Sequence, residues 1–225
     1  MLAGLLFGLD VSLWAEALYH TTVTNATLLS NMTPILAAAF AWFVLKERPR
    51  PAVFWGGAGA LAGAVVLAIA RARAGAGPAA TPEEGWLGDG LGFAAAFGYA
   101  GYLLIVRHVG GRVSTGLVMF IATAVSAAFA LAVSLAFGER LLPETMRGWL
   151  VLIGLGVVVQ AAAQGFIAYG VARLPIVVST IMLWMQPVTA AAWSWVLFGE
   201  SLGPLALAGA ALILAGIYFV QRARS

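Results

Sequence analysis

Long apolar runs, each bounded by a polar or turn-forming segment, are the main pattern of this sequence. Eight runs are long enough to predict membrane helices, because a helix needs about 20 apolar residues to cross the hydrocarbon core. The predicted spans cover roughly residues 2–20, 23–45, 52–70, 87–106, 114–137, 148–171, 175–198 and 203–221. The pattern therefore predicts an all-α integral membrane protein with eight transmembrane helices.

Composition supports a lipid environment and excludes several kinds of chemistry. Only 9% of the residues are charged and 62% are hydrophobic, whereas a soluble domain has about 25% charged residues. The absence of cysteine excludes disulfides, thiol nucleophiles and cysteine metal sites. No nucleotide-binding loop, HExxH or GxSxG motif is present. We therefore predict no enzyme activity, no cofactor, no metal site and no nucleic-acid partner.

The distribution of basic residues predicts the orientation in the membrane. Eight spans place both chain ends on one side, and cytoplasmic loops of membrane proteins are enriched in Lys and Arg. With the ends inside, the cytoplasmic basic residues are Lys46, Arg48, Arg50, Arg107, Arg112, Arg173, Arg222 and Arg224. The outer ones are Arg71, Arg73, Arg140 and Arg147. This asymmetry predicts a multi-pass protein of the inner or plasma membrane with both termini cytoplasmic.

The chain contains an internal repeat. Residues 25–71 align without a gap to residues 178–224, and 16 of the 47 positions are identical. The matched pairs include Pro34/Pro187, Trp42/Trp195, Glu47/Glu200, Pro51/Pro204, Gly56/Gly209 and Gly63/Gly216. Five helix steps, an odd number, separate the copies, so the second copy crosses the membrane in the opposite sense. Inverted repeats of this kind are typical of secondary transporters.

The repeat also predicts the domain organisation. We expect a partial first repeat of three helices at residues 1–72, a linker at 73–86 and a second repeat of five helices at 87–222. The first repeat is therefore expected to be incomplete, with two helices missing before its start. Either the start is misplaced or the protein is a natural truncation.

The repeated segments resemble a known family. The stretches "TNATLLSNMTPILAAAFAWFVLKERPRP" and "VVSTIMLWMQPVTAAAWSWVLFGESLGP" are similar to the signature of EamA domains in the drug/metabolite transporter (DMT) superfamily. In both, a helix with a mid-span proline ends in a Glu, and a short turn leads into a glycine-rich helix. The resemblance implies an inverted-repeat EamA/DMT-like bundle and a transporter. Full-length members have ten helices, and their first helix contributes to the central cavity.

A lone carboxylate, Asp10, lies in the middle of the first predicted span, where a charge is costly. An offset of 150 residues pairs Asp10 with Gln160 and Trp14 with Gln164, and the members of each copy are four residues apart on one helix face. An inverted two-fold axis would bring these four side chains together near the midplane. Asp10 would bind a substrate amine or exchange a proton. The alternative is that the acid and the glutamines only join neighbouring helices by hydrogen bonds.

Four further residues complete the predicted substrate pathway. These are Asn31, its repeat equivalent Trp184, Gln186 and Tyr102. Gln186 precedes Pro187, whose missing N–H frees a carbonyl in the helix. Tyr99 and Tyr102 lie on the fourth span, and aromatic packing is the slightly favoured interpretation of both.

These observations favour a secondary transporter or exporter of a small metabolite, such as an amino-acid-like, amine or drug-like solute, that works by alternating access. The expected partners are the substrate and the lipid bilayer, with a proton as the candidate coupling ion and a homodimer left open. The alternative is a non-transporting membrane subunit or an inactive truncated transporter fragment. An intramembrane enzyme is disfavoured, because the two histidines, His20 and His108, lie at opposite membrane edges.

Overall fold

The computed structural model describes residues 1–21, 26, 29–40, 42–43, 46, 51–73, 82–138, 141–198 and 203–222. Within these residues the chain is a bundle of helices. They are α1 (Leu2–His20), α2 (Thr33–Phe40), α3 (Pro51–Arg73), α4 (Pro82–Val109), α5 (Thr115–Ala136), α6 (Met146–Gly154), a π-helix (Leu155–Ala163), α7 (Gln164–Arg173), α8 (Ile176–Met182), α9 (Met185–Phe198) and α10 (Pro204–Arg222). The helical segments follow the eight predicted spans, so the all-α fold is confirmed.

Four helical stretches of the described chain have the length and hydropathy to cross a membrane. These are Leu2–His20, Gly85–Val109, Thr115–Ala136 and Met146–Arg173. Three shorter apolar helices, Phe54–Ala70, Ile176–Thr189 and Pro204–Val220, accompany them. The protein is therefore a multi-pass membrane protein.

Two of the predicted spans are broken near their middles. The second span turns at Asn31 and Met32 before α2, and the seventh turns at Leu183 and Trp184 between α8 and α9. In each break, the carbonyl four residues before the proline loses its usual helical donor. The Thr33 hydroxyl donates to the Ser30 carbonyl at 2.7 Å, and the Gln186 N–H donates to the Leu183 carbonyl at 2.9 Å. Each of these two carbonyls therefore accepts a hydrogen bond from a nearby donor.

The glycine-rich helices α3 and α10 form the closest helix pair of the bundle. A Cβ atom on Gly216 would lie 2.5 Å from the Gly56 carbonyl oxygen, and one on Gly63 would lie 2.7 Å from the Gly209 carbonyl oxygen. Contact positions rise along α3 as they fall along α10, so the two helices are antiparallel. Because α3 and α10 are equivalent in the repeat, this packing confirms the inverted arrangement.

Helix α1 packs against both α4 and α5 and positions Asp10 in the bundle. A Cβ on Gly98 of α4 would lie 3.1 Å from both the Asp10 nitrogen and its Cβ. At the far end of α1, the Thr21 hydroxyl donates to Asp89 Oδ1 at 2.7 Å. Helix α4 begins at Pro82, inside the linker expected at 73–86, so it starts earlier than the predicted span.

Candidate functional site

The candidate site lies where α1, α4 and the helical stretch 155–173 meet. Phe7 of α1 packs on Tyr102 of α4 with ring centroids 4.9 Å apart, and Tyr99 stacks on Tyr102 at 5.8 Å. Tyr102 is fully buried, and its hydroxyl donates to the Met119 sulfur at 3.2 Å. These rings form a rigid aromatic wall, which we call the tyrosine wall, beside Asp10.

Both predicted glutamines make hydrogen bonds in this region, to different helices. The Tyr99 hydroxyl donates to Gln164 Oε1 at 3.2 Å, and Gln160 Nε2 donates to the Thr123 hydroxyl of α5 at 3.0 Å. The nine-residue π-helix Leu155–Ala163 contains Gln160 and ends just before Gln164. Since π-helical turns often mark functional sites, this local widening of the helix is consistent with a binding role.

Asp10 is half-buried, and α4 approaches its backbone at Gly98, next to Tyr99. Within the described part of the chain, its carboxylate accepts no hydrogen bond. The Tyr99–Gln164 hydrogen bond lies within the second repeat, and the ring contact of Phe7 with Tyr102 joins this repeat to the first. A direct pairing of Asp10 with either glutamine stays a prediction.

The other predicted pathway residues lie in two further places. Trp14 is one helical turn beyond Asp10 and is 36% exposed. At the helix breaks, the Trp184 indole Nε1 donates to the Asn31 carbonyl at 2.9 Å, and Trp184 is buried. The Gln186 side chain is exposed on α9. The structure therefore joins Asn31 to Trp184 and Gln164 to the tyrosine wall, whereas Gln160 bonds to α5.

Sequence reasoning gave too little weight to Tyr99 and did not select Thr123 or Phe7. In an apolar helix a tyrosine that packs and a tyrosine that binds look alike. The one available signal was the pairing of two polar tyrosines three residues apart on the face that carries Gly98. Away from the site, His20 Nε2 lies 3.0 Å from Glu16 Oε1, one helical turn earlier on α1. Two other polar residues, Asn25 and Glu47, lie outside the described residues.

Comparison with known proteins decides the family. The model of the EamA-like transporter family matches residues 1–69 and 86–222. The chain belongs to this EamA-like transporter family. Its DMT-type fold and the resemblance of its repeated segments are thereby confirmed.

Individual relatives of this EamA-like protein cover most of its length. A protein of Streptantibioticus cattleyicolor named "Probable terminal-alkyne amino-acid exporter" is 30% identical over 93% of this chain and 67% of its own length. The pseudopaline exporter of Pseudomonas aeruginosa is 23% identical over 100% of this chain and 75% of its own. A solved crystal structure superposes with a TM-score of 0.81 at 27% identity, covering 98% of this chain and 75% of that one. The relatives from Streptantibioticus cattleyicolor and Pseudomonas aeruginosa are named as exporters, so the comparisons favour transport over enzyme activity.

Proposed function

We propose that this protein exports a small amino-acid-like metabolite across the cell membrane by alternating access. The observation that carries the proposal is the meeting of the two broken helices. Trp184 donates to Asn31 where the second and seventh spans are both interrupted. Transporters built from inverted repeats bind their substrates near such breaks at the repeat interface.

The groups around the tyrosine wall suit a substrate that carries both an ammonium and a carboxylate. Asp10 supplies an acceptor for the ammonium. Gln164 accepts from Tyr99 through its oxygen, which leaves its Nε2 hydrogens to donate to a carboxylate. Gln160 donates to Thr123 and keeps its oxygen as an acceptor. Names of two relatives, an amino-acid exporter and a pseudopaline exporter, support this substrate class.

Asp10 is also the proposed proton carrier. An intramembrane carboxylate usually faces a cavity and often takes part in proton transfer. Proton binding at Asp10 would release the substrate ammonium, and proton loss would allow the next ammonium to bind. This exchange couples export to the proton gradient, with both termini in the cytoplasm.

A specific observation favours the second candidate, a non-transporting subunit. Neither α6 nor the π-helix has a buried residue, whereas five residues of α1 are buried. The exposed surface of α6 and the π-helix is suited to contact with further helices or lipid. Under this alternative the chain acts only within a larger membrane complex.

Flux measurements in proteoliposomes separate the two candidates. Purified protein would be reconstituted into vesicles. Separate batches of these vesicles would receive radiolabelled amino acids, simple amines or uncharged analogues. The proposal expects uptake or efflux of the amino acids that responds to an imposed pH gradient, with none in protein-free vesicles. Absence of flux for every solute, with the protein folded and inserted, would contradict the proposal and favour the subunit.

A further inference from the structure

A cavity lies away from the tyrosine wall, between α2, α3 and α8. Its volume is about 790 Å³. Its wall includes Pro34, Ala38, Trp42, Phe54, Leu61 and Ile181. We call this cavity the α2–α3 groove. Its inner end is closed by the buried Trp184, whose indole N–H already binds Asn31.

The lining of the α2–α3 groove selects an apolar ligand. All its wall residues are aliphatic, aromatic, proline or glycine. A polar metabolite would lose its hydrogen bonds to water there and gain none in return, which is unfavourable. The groove is therefore unsuited to the amino-acid-like substrate proposed above.

The dimensions of the groove correspond to one leaflet of the bilayer. It follows α3 from Pro51 to Leu61, which is about 15 Å at 1.5 Å per residue. The hydrocarbon core is about 30 Å thick, so the groove spans half of it. One acyl chain of a lipid spans a single leaflet and therefore matches this length.

The end of the groove away from Trp184, which we call its outer end, has the features of a membrane–water interface. Trp42 and Phe54 line the groove there and are 55% and 63% exposed. Their neighbours Phe43 and Trp55 are also exposed and pack on them, each pair with ring centroids 5.6 Å apart. Aromatic side chains concentrate at this depth of the bilayer. The outer end therefore lies at the level of the lipid headgroups.

The sequence between Trp42 and Pro51, two residues that line this end of the groove, is basic. The connection between the second and third spans reads "KERPR", with three basic residues and one acidic residue. Of these residues the structure describes Lys46, which is exposed and has a φ of 57°. Pro51, which follows this connection in the sequence and is the first residue of α3, lines the groove.

We propose that the α2–α3 groove binds an anionic phospholipid, with one acyl chain in the groove and the headgroup phosphate at Lys46. Basic pockets between helices bind anionic headgroups, and each nearby Lys or Arg contributes about 1 kcal/mol. With the predicted orientation, the site faces the cytoplasmic leaflet. This proposed lipid site does not depend on which solute binds at the tyrosine wall.

Native mass spectrometry of the purified protein tests the proposal with defined lipids. Phosphatidylglycerol and phosphatidylcholine of equal chain length would be added to delipidated protein. The wild type is expected to retain phosphatidylglycerol at collision energies that remove phosphatidylcholine. Equal retention of the two lipids would overturn the headgroup assignment.

Matched variants locate the lipid. Ala58→Phe fills the groove from α3, while Gly59→Phe adds the same ring next to it, where a Cβ meets nothing within 4 Å. Ala58→Phe is expected to lower phosphatidylglycerol retention about tenfold, and Gly59→Phe to leave it unchanged. Lys46→Gln should weaken binding about fivefold, equivalent to about 1 kcal/mol, with Arg112→Gln as the control in another loop.

Other outcomes identify other occupants. If Ala58→Phe melts early in detergent, Ala38→Leu fills the groove from the opposite wall and replaces it in the comparison. Equal phosphatidylglycerol retention in the wild type and in the groove-filling variant would overturn the site. A disulfide between two copies carrying Ala58→Cys would instead assign the groove to a protein interface. Loss of solute flux in Ala58→Phe with lipid retention intact would assign it to the transport pathway.

Discussion

Trp184 donates its indole hydrogen bond to the carbonyl of Asn31, its own equivalent in the other repeat, at 2.9 Å. Residues related by a two-fold axis contact each other only where they lie next to that axis. This bond therefore marks the pseudo-symmetry axis in the plane of the membrane. It also joins the two helix breaks, one from each repeat.

The substitution Trp184→Phe should destabilise the contact between the repeats. It keeps an aromatic ring but removes the N–H donor, which costs about 1 kcal/mol and lowers the melting temperature by about 2–4 °C. Thermal melting in detergent, followed by intrinsic fluorescence, gives the shift. The matched control is Trp193→Phe on α9, because Trp193 is 61% exposed. Equal shifts in the two variants would contradict a special role for the axial bond.

Asp10→Asn should leave insertion intact and reduce transport. Asparagine keeps the shape and the hydrogen-bonding capacity but removes the titratable charge, so ammonium binding and proton exchange are both lost. We expect at least about a tenfold loss of flux, corresponding to about 1.4 kcal/mol, or a flux that no longer depends on pH. The measurement belongs in a preparation with demonstrated wild-type flux.

The control for Asp10→Asn is Glu16→Gln. Glu16 lies on the same helix and pairs with His20 on the exposed edge, where ion pairs contribute little. The flux of the Glu16→Gln variant, and the dependence of that flux on pH, should remain those of the wild type. If Asp10→Asn also transports normally at every pH, Asp10 is neither the acceptor of the ammonium nor the proton carrier.

Tyr99 and Gln164 should behave as a coupled pair. Tyr99→Phe removes the donor of the 3.2 Å bond to Gln164 Oε1, and Gln164→Leu removes the acceptor. Interhelical hydrogen bonds in membranes have coupling energies of about 0.6 kcal/mol. A double-mutant cycle on unfolding free energy should return a value of this size. Tyr102→Phe combined with Gln164→Leu is the comparison, since Tyr102 binds Met119, and it should be additive.

Enlarging a glycine at the α3–α10 crossing should destabilise the bundle strongly. Gly63→Leu places side-chain atoms where a Cβ alone would lie 2.6 Å from the Ile213 nitrogen, and overpacking costs about 1–3 kcal/mol. Gly156→Leu, where nothing lies within 4 Å of a Cβ, is the control. Chemical unfolding in detergent would compare the two. If Gly63→Leu lost no more stability than Gly156→Leu, helices α3 and α10 could move apart at the crossing without cost.

Cysteine labelling tests the predicted orientation, because the native chain contains no cysteine. Arg112→Cys, between α4 and α5, should react with a membrane-impermeant maleimide only after the cytoplasmic side is opened. Leu142→Cys, between α5 and α6 and 69% exposed, should react from outside in intact cells. The reversed pattern would place both termini outside.

Helix locations were largely predictable from sequence, because the length of an apolar run follows directly from bilayer thickness. The first span, predicted at residues 2–20, coincides with α1, Leu2–His20. The antiparallel packing of α3 and α10 followed from counting helix steps between copies. Irregular turns inside the helices were harder to predict from the sequence. The prolines indicated where the chain departs from a regular helix, but the sequence around Gln160 carries no proline and gave no sign of a π-helix.

Side-chain partners within the site were predicted less well than the helices. The offset of 150 residues indicated that Asp10 and the glutamines belong to equivalent helices, and it gave no information on what lies between them. Tyr99 occupies part of that space because Gly98 allows α4 to approach α1 at Asp10. Such a close approach depends on packing over the whole bundle, which an alignment of the two copies does not describe.

The α3–α10 crossing also constrains how the two halves of the gene change over time. Gly56 packs on Gly216 and Gly63 packs on Gly209, whereas the repeat aligns Gly56 with Gly209 and Gly63 with Gly216. Each copy thus needs small residues at both of its positions to accommodate the other. Because glycine has no side chain to reduce, a larger residue in one copy has no compensating change in the other. Along this seam, the size of the residue in one repeat is therefore limited by the residue that faces it in the other.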